Sequence, residues 1–359
     1  MDAHKPSIST PKTSPLTRRG FLLTGVAGAG AVGAAAIGLS QESDRTVEGP
    51  PTGRAELSTR GHETLMPGIV GEVDHARNGF DPSALLNDFD GGKVSTGPNG
   101  ETIRDYQFVI RNQMIEVVPG LEFAAWTYNG RVPGPTIRVN EGDRVRVELL
   151  NGSDHAHSIH FHGIHPANMD GVFDASSGVV APGGRFVYEF DAEPYGLHLY
   201  HCHTAPLAKH IAKGLYGAFI IDPKGGRPRA DHEMVMVMHG YDVDFDGKND
   251  FYAVNGIPFH YDHDKNPIVI RVGELVRIYL VNTLEYDPIN SFHLHANFFQ
   301  YYPTGTSLTP SELTDTVALM QGQRGILEFR YRYPGKYMFH AHKTEFAELG
   351  WTGVFQVEA

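Results

Sequence analysis

Cysteine is almost absent from this sequence, since Cys202 is the only one among 359 residues. A single thiol excludes an internal disulfide, so the redox compartment has to be inferred from targeting signals instead of cysteine pairs. Positive charge is also scarce, because 30 Lys and Arg residues against 42 Asp and Glu residues leave a net charge of −12. This balance argues against a nucleic-acid partner and disfavours a polyanionic substrate.

Long helical periodicity is missing as well. From about residue 105 onward, short runs of β-branched and aromatic residues alternate with turn formers, for example at 106–110, 114–118 and 123–128. Short strands with regularly spaced turns are typical of a sandwich or barrel. The chain is long enough for two or three domains of common size.

The amino-terminal region has the pattern of a twin-arginine export signal. Arg18 and Arg19 directly precede an apolar stretch, rich in Ala and Gly, that runs to Leu39. A membrane anchor or a buried helix is the alternative, but a stable span needs about 20 strongly apolar residues. We therefore predict an export signal at 1–40 and a periplasmic or extracellular location. Turn formers and mixed charges at 41–104 predict a linker and an irregular lead-in.

The rest of the chain is an internal repeat. Each copy contains two His-x-His motifs in the same order, at 160–162 and 201–203 in the first and at 293–295 and 340–342 in the second. The flanking strand patterns repeat with them. We predict two copies of one β domain, at 105–225 and 226–359, with the boundary in a segment rich in Gly, Pro and Arg.

Cys202 lies between His201 and His203 in a run of β-forming residues. Neighbouring side chains on a strand point to opposite faces, so Cys202 is expected to project one way and the two histidines the other. One short segment can therefore serve two metal centres. One Cys with two His and a weak axial ligand is the donor set of a blue-copper site. A buried structural thiol is the alternative for an isolated Cys-His pair, but here similar motifs recur along the chain.

The two copies differ at the cysteine site. The opposed positions are His157 and Asn290, Cys202 and Ala341, His210 and Phe346, and Leu215 and Trp351. The second copy has kept both His-x-His pairs and lost every candidate ligand of the cysteine site. Selective loss of one complete site would be an odd coincidence if these histidines were merely structural.

This constellation resembles the multicopper oxidases, and more narrowly their two-domain, laccase-like members, with kinship to the copper nitrite reductases. The resemblance covers about 105–359 and rests on the four His-x-His motifs, one of which has Cys between its histidines. It implies an all-β fold of two cupredoxin-like Greek-key β-sandwich domains and a homotrimer. It also implies an oxidoreductase that oxidises a donor at a type 1 copper and reduces dioxygen to water at an intersubunit trinuclear cluster.

The resemblance further implies four coppers per subunit, namely one type 1, one type 2 and two type 3 ions. The matched positions are, for the type 1 copper, His157, Cys202 and His210; for the type 2 copper, His160 and His293; and for the type 3 pair, His162, His201, His203, His295, His340 and His342. These eight cluster histidines would form the catalytic group. Leu215 occupies the axial position without a coordinating atom, which should raise the reduction potential. His165 and His198 match no ligand position, and we expect a structural role for both.

Two other functions remain open at this point. A copper nitrite reductase is the main alternative, but that family carries a catalytic Asp where this chain has His160 and does not need His203 or His340. A copper carrier or storage protein is the third hypothesis, and it would not explain eleven matched ligands. Expected electron donors are phenols, aromatic amines, metal ions such as Cu(I) or Fe(II), or a small redox protein. The sequence has no Met-rich insertion that would favour a cuprous oxidase.

Overall fold

The computed structural model describes residues 72–173, 176–262 and 265–359. The predicted export signal at 1–40, and the part of the predicted linker before residue 72, lie outside the described residues. In the part that is described, no helix is both long enough and apolar enough to cross a membrane.

The described chain up to residue 222 consists of strands with a few very short helices. Its elements, in order, are α1 (His75–Asn78), α2 (Pro82–Leu85), β1 (Phe89–Asp90), β2 (Lys93–Thr96), β3 (Thr102–Val118), β4 (Leu121–Tyr128), β5 (Thr136–Asn140), β6 (Arg144–Asn151), β7 (His160–Phe161), β8 (Arg185–Asp191), β9 (Gly196–His201), α3 (Leu207–Ala212) and β10 (Tyr216–Asp222). A single 3-10 turn, Ala167–Met169, lies between β7 and β8.

The remaining residues have the same character. Their elements, in order, are β11 (His232–Tyr241), β12 (Phe251–Val254), β13 (Ile268–Arg271), β14 (Val276–Asn282), β15 (Ile289–Leu294), β16 (Phe299–Pro303), β17 (Glu312–Thr314), β18 (Thr316–Met320), β19 (Arg324–Phe329), β20 (Gly335–His340), α4 (Thr344–Glu348) and β21 (Thr352–Glu358).

Two sheets pack face to face in the first sandwich. One has the order β2-β3-β6-β8 with β4 added to β3, and the other has the order β1-β5-β10-β9-β7. Phe108 and Val147 from the first sheet share a buried cluster with Phe161 and Phe219 from the second. Alternation along each strand directs these side chains inward, which is how a sandwich forms its core.

The second sandwich repeats this arrangement. Its sheets have the orders β12-β11-β14-β19-β16-β17 and β13-β21-β20-β15-β18, and Met236, Leu280, Phe339 and Phe355 belong to its core. The parallel pairs β3·β6 and β5·β10 correspond to β11·β14 and β13·β21. The predicted all-β fold with two cupredoxin-like Greek-key sandwiches is confirmed.

A third buried cluster joins the two sandwiches. It includes Leu199 of β9 and Ile220 of β10 from the first sandwich, with Val237 and Val281 from the second. In β10, Phe219 faces the first core whereas Ile220 faces this joining cluster. The strand is therefore buried on both faces, which explains its uninterrupted apolar sequence.

The structure differs from the predicted elements in two places. Segments 106–110 and 114–118, expected as separate strands, form the single strand β3, because no Gly or Pro lies between them. β3 pairs with β6 along its first part and with β4 along its second. The described lead-in also contains α1, α2, β1 and β2; Phe80, Leu85 and Leu86 of this region are buried, whereas Val94 of β2 is exposed.

Candidate metal centres

Cys202 directly follows β9, whose last residue is His201. Its side chain is fully buried in the core of the first sandwich. The flanking histidines lie elsewhere: His201 groups with His160 and His162, and the His203 ring lies 5.2 Å from that of His160. The thiol and the two flanking imidazoles thus belong to different groups, as alternation along a strand predicts.

The cysteine site is built from three chain segments. His157 precedes β7 and forms a backbone bridge with Val180, while His210 belongs to α3. The two Nδ1 atoms of these histidines lie 3.1 Å apart, and Cys202 Sγ lies 3.2 Å from His210 Nδ1 and 3.8 Å from His157 Nδ1. One sulfur and two nitrogens therefore converge on a common point.

Burial sets the protonation of these three donors. It lowers the pKa of His157 to about 3 and that of His210 to about 4, so both rings are neutral at neutral pH. The same burial raises the pKa of the Cys202 thiol, and a bound cation would offset that cost by stabilising the thiolate. A thiolate with two neutral imidazoles is a soft donor set that fits copper.

Two neighbours shape this site. The backbone N–H of Ser158 donates to Cys202 Sγ at 3.4 Å, an interaction that favours a negatively charged sulfur. The Trp126 ring packs against both His157 and His210, at centroid distances of 4.9 and 4.7 Å. These contacts restrict both imidazoles before any metal binds.

Leu215 contributes no donor atom. Its side chain is fully buried in the same apolar cluster as Cys202, and the axial assignment stays a prediction.

The first quartet of histidines comprises His160, His162, His201 and His203. Nε2 of His162 lies 2.8 Å from Nε2 of His201, and the His160 ring lies within 5.3 Å of the other three rings. His160 Nδ1 is 3.1 Å from the carbonyl oxygen of Asp170 and 2.9 Å from its carboxylate. The four imidazoles thus form one compact group.

The second quartet has the same arrangement and comprises His293, His295, His340 and His342. Nε2 of His295 lies 2.9 Å from Nε2 of His340, and the His293 ring lies within 5.3 Å of the other three. His293 Nδ1 is 3.0 Å from the carbonyl oxygen of Asp315.

Hydrogen bonds to backbone carbonyls determine which ring nitrogen of these histidines is free to bind a metal. Nδ1 of His201 lies 2.9 Å from the carbonyl oxygen of Cys202, and Nδ1 of His340 lies 2.7 Å from that of Ala341. A carbonyl only accepts, so Nδ1 carries the proton and Nε2 keeps its lone pair. The same reasoning applies to His160 and to its counterpart in the second quartet. Each quartet therefore presents Nε2 lone pairs, the donors that copper binds.

The quartets lie apart within one chain. Among the described residues, no hydrogen bond or ring contact joins a histidine of one quartet to a histidine of the other. The second quartet is on an outward face of its sheet: alternation in β15 places His293 on the same side as exposed Ile289, while Phe292 points to the core. Met320 and Met338, on the strands flanking β15, are also exposed.

The second sandwich has a packed core where the first has the cysteine site. The residues opposed to the candidate type 1 positions are all buried: Asn290, Ala341, Phe346 and Trp351. None of them supplies a thiolate or an imidazole, so no comparable donor set exists there.

Several contacts of the sites were missed in the sequence. Asp170 follows His160 by ten residues, whereas Asp315 follows His293 by 22, so no fixed spacing signals them. His165 lies beside the first quartet, with Nε2 3.4 Å from the Asp170 carboxylate. His198 lies 3.2 Å from the carbonyl oxygen of His162. The repeat did contain a signal for Ser158, because Ser291 occupies the matched position in the second copy.

Comparisons with known proteins agree on the family. Family models described as multicopper oxidase match residues 110–226 and 231–359. The copper-containing nitrite reductase of Neisseria meningitidis is 31% identical over 264 residues, which cover 67% of this chain and 67% of that protein. The matched region is thus about two thirds of this relative.

Solved structures give the same result. A crystal structure of a multicopper oxidase shares 59% sequence identity and superposes with a TM-score of 0.78, covering 80% of this chain and 100% of that chain. The copper nitrite reductase from Nitrosomonas europaea shares 28% identity with a TM-score of 0.64, covering 71% of this chain and 94% of that chain.

Proposed function

Because this chain belongs to the multicopper oxidase family and is a copper-dependent oxidoreductase, we propose that it is a laccase-like oxidase that uses dioxygen as electron acceptor. In this proposal a donor is oxidised one electron at a time, and dioxygen is reduced to water. His157, Cys202 and His210 would hold the type 1 copper, and the two quartets would hold one type 2 and two type 3 coppers. Copper bound at these positions supplies the electron transfer and the four-electron reduction of dioxygen.

The presence of His160 within the first quartet is the observation that supports an oxidase most strongly. Its Nδ1 is held by Asp170, so that its Nε2 is presented to the group. The family resemblance places a catalytic Asp at this position in nitrite reductases. An imidazole there, matched by His293 in the second quartet, provides the full eight-histidine set that a trinuclear cluster requires.

The protein residues have defined tasks in this reaction. Backbone carbonyls orient the quartet imidazoles so that Nε2 remains free. Cys202 is bonded through the chain to His201 and His203, so a short covalent path leads from the thiolate to the first quartet. Contacts with Trp126 and Ser158 restrict the positions of the three donors of the cysteine site. This restriction would reduce the structural rearrangement that accompanies a change in the charge of the bound copper.

We propose that the active unit is a homotrimer with each cluster between two subunits. A single chain keeps its quartets apart, and the second quartet lies on an outward face with exposed apolar neighbours such as Ile289 and Met338. Exposed apolar surface of this kind marks an interaction site. A contact between the first quartet of one subunit and the second quartet of the next is heterologous and closes into a ring of three.

For the electron donor and the cellular location, the proposal rests on the sequence, which leaves several donors open. Candidate donors are phenols, aromatic amines, a metal ion such as Cu(I) or Fe(II), and a small redox protein. The exposed ring of His155 packs against Trp126 at 4.8 Å, and that tryptophan contacts both histidines of the cysteine site. A donor that docks near His155 would therefore be close to the proposed type 1 copper. We further propose export through the twin-arginine pathway to the periplasm or the cell exterior.

Nitrite reduction is the second candidate, favoured by the similarity to the nitrite reductase of Neisseria meningitidis. Both reactions can be measured on the same copper-loaded protein. We expect donor-dependent oxygen consumption with water as product, about four coppers per chain, and loss of activity in His160→Asp. Stoichiometric hydrogen peroxide, two coppers per chain, or nitrite turnover faster than oxygen turnover would reject the proposal.

A further inference from the structure

A second group of possible metal ligands lies outside the cysteine site and the two quartets. His75 begins α1, Asp81 precedes α2, and His260 lies in the second sandwich next to Tyr261. One ligand atom from each of the three side chains lies within 4.8 Å of the other two. Two imidazoles and one carboxylate thus meet from segments that are far apart in sequence.

The contacts of this group leave donor atoms facing one another. His260 Nε2 lies 3.5 Å from Asp81 Oδ1 and 2.7 Å from Ser83 Oγ. The rings of His75 and His260 meet edge to face with centroids 5.0 Å apart. His75 Nδ1 is buried and has no hydrogen-bond partner. An unpaired buried nitrogen is costly, and a metal ion is a partner that would satisfy it.

The environment suits a cation. The His260 side chain is only 2% exposed, whereas that of Asp81 is 48% exposed and leaves an entry path from solvent. Burial, together with the neighbouring His75, lowers the pKa of His260 to about 4, so this ring is neutral at neutral pH. Neutral imidazole and ionised carboxylate are the forms that bind metal.

From this geometry we propose that His75, Asp81 and His260 form a binding site for a divalent transition-metal ion of the zinc class. Two His and one carboxylate, with a fourth position left to water, is a ligand set that Zn²⁺ uses. Cu²⁺ favours the same nitrogen donors, so both ions are candidates for occupancy. This inference does not depend on the proposed oxidase reaction.

The metal would fasten the lead-in to the second sandwich. Besides the contact of Ser83 with His260, hydrogen bonds already join these segments: the hydroxyl of Tyr261 donates to the carbonyl of Pro82 at 2.7 Å, and the N–H of Val235 donates to the carbonyl of Leu86 at 2.8 Å. β1, at the other end of the lead-in, pairs with β5 of the first sandwich. A metal here would therefore stabilise the position of the lead-in, which contacts both sandwiches.

The test uses the full chain, loaded with copper first so that the other sites are filled, then incubated with zinc chloride and desalted. Total copper and zinc per chain are measured by mass spectrometry. We expect wild type to retain more metal than His75→Gln and Asp81→Asn, and the difference should be one metal ion per chain. Asn still caps a helix as Asp does, so Asp81→Asn weakens the ligand while keeping the start of α2. His232→Gln is the matched control, since it replaces another histidine that contacts a carboxylate, Glu274, at 2.7 Å, and should lose no metal.

Thermal unfolding gives a second readout. Loading with copper and then zinc should raise the unfolding midpoint of wild type and of His232→Gln, because a metal ion that binds only the folded state stabilises it. The rise should be smaller in His75→Gln and Asp81→Asn, which lack this one metal ion but keep the blue absorption of the folded protein. Equal metal content in wild type and both variants, or an equal rise of their midpoints on metal loading, would overturn the proposal.

Discussion

The backbone N–H of Cys202 donates a hydrogen bond to the carbonyl of Leu215 at 3.0 Å. The second sandwich repeats this bond between Ala341 and Trp351 at 3.2 Å. At this position the main chain therefore has the same arrangement in both copies, while the side chains differ. Because this bond places Leu215 beside Cys202, a substitution of Leu215 should change the reduction potential of the proposed type 1 copper.

Leu215→Met should lower the reduction potential of the cysteine site, because a thioether adds a weak axial donor. The substitution conserves volume and should cost less than about 1.5 kcal/mol of stability. Redox titration of the visible absorption measures the potential. Leu199→Met is the control, since Leu199 is buried in the cluster between the sandwiches, and its potential should not change. An unchanged or higher potential in Leu215→Met would count against the axial assignment.

Cys202→Ser should abolish the intense visible charge-transfer band of the oxidised protein. Cys202 is the only thiol in the chain, so no other residue can supply the sulfur-to-copper transition. Copper content should fall by one ion per chain, and oxidation of donors should stop. Absorption spectra and metal analysis measure both effects, and a blue Cys202→Ser protein would show that the assignment is wrong.

Subunit mixing should restore activity if each cluster lies between chains. Cys202→Ser chains are inactive but keep an intact second quartet, while chains with His340→Ala and His342→Ala keep an intact cysteine site. A mixed trimer contains an interface where the intact halves meet, so oxygen consumption should return after subunit exchange. Each variant incubated alone is the control. No recovery, despite exchange demonstrated by mass spectrometry, would indicate that clusters form within single chains.

His239→Gln should weaken the loss of stability at acidic pH. His239 is buried between the sandwiches, where Gly256 donates its backbone N–H to Nε2 at 3.0 Å, and burial lowers the pKa of His239 to about 3. The unfolded chain takes up a proton near pH 6.5 that the folded chain does not, so stability falls as the pH drops from about 6.5 towards 3.

Urea unfolding of both proteins at pH 7.5, 6 and 4.5 measures this effect. The unfolding free energy of wild type should fall by up to about 1.4 kcal/mol more per pH unit than that of the variant. Comparison at pH 7.5 isolates the cost of the substitution itself. Parallel pH profiles of the two proteins would contradict the shifted pKa.

The repeat in the sequence contained more of the site than the ligand motifs alone. Ser158 and Ser291 occupy matched positions two residues before the first histidine of each quartet. In the structure, Ser158 Oγ accepts from the backbone N–H of His203 at 3.1 Å, and Ser291 Oγ accepts from that of His342 at 2.8 Å. Each serine thus ties the two His-x-His motifs of its sandwich together.

Local periodicity in the sequence by itself determined the strand character, the two-copy organisation and the opposite directions of Cys202 and its neighbouring histidines. Alternation within a strand depends only on adjacent residues, so a sequence pattern is enough to predict it. The contacts of His160 with Asp170, and of His75 with His260, were decided by the tertiary structure. Such contacts depend on where loops return to the core and which faces pack, and these long-range choices leave no periodic signal in the chain. The separation of the two quartets within one subunit, which the sequence implied only through the family resemblance, is likewise decided by how the two sandwiches pack against each other.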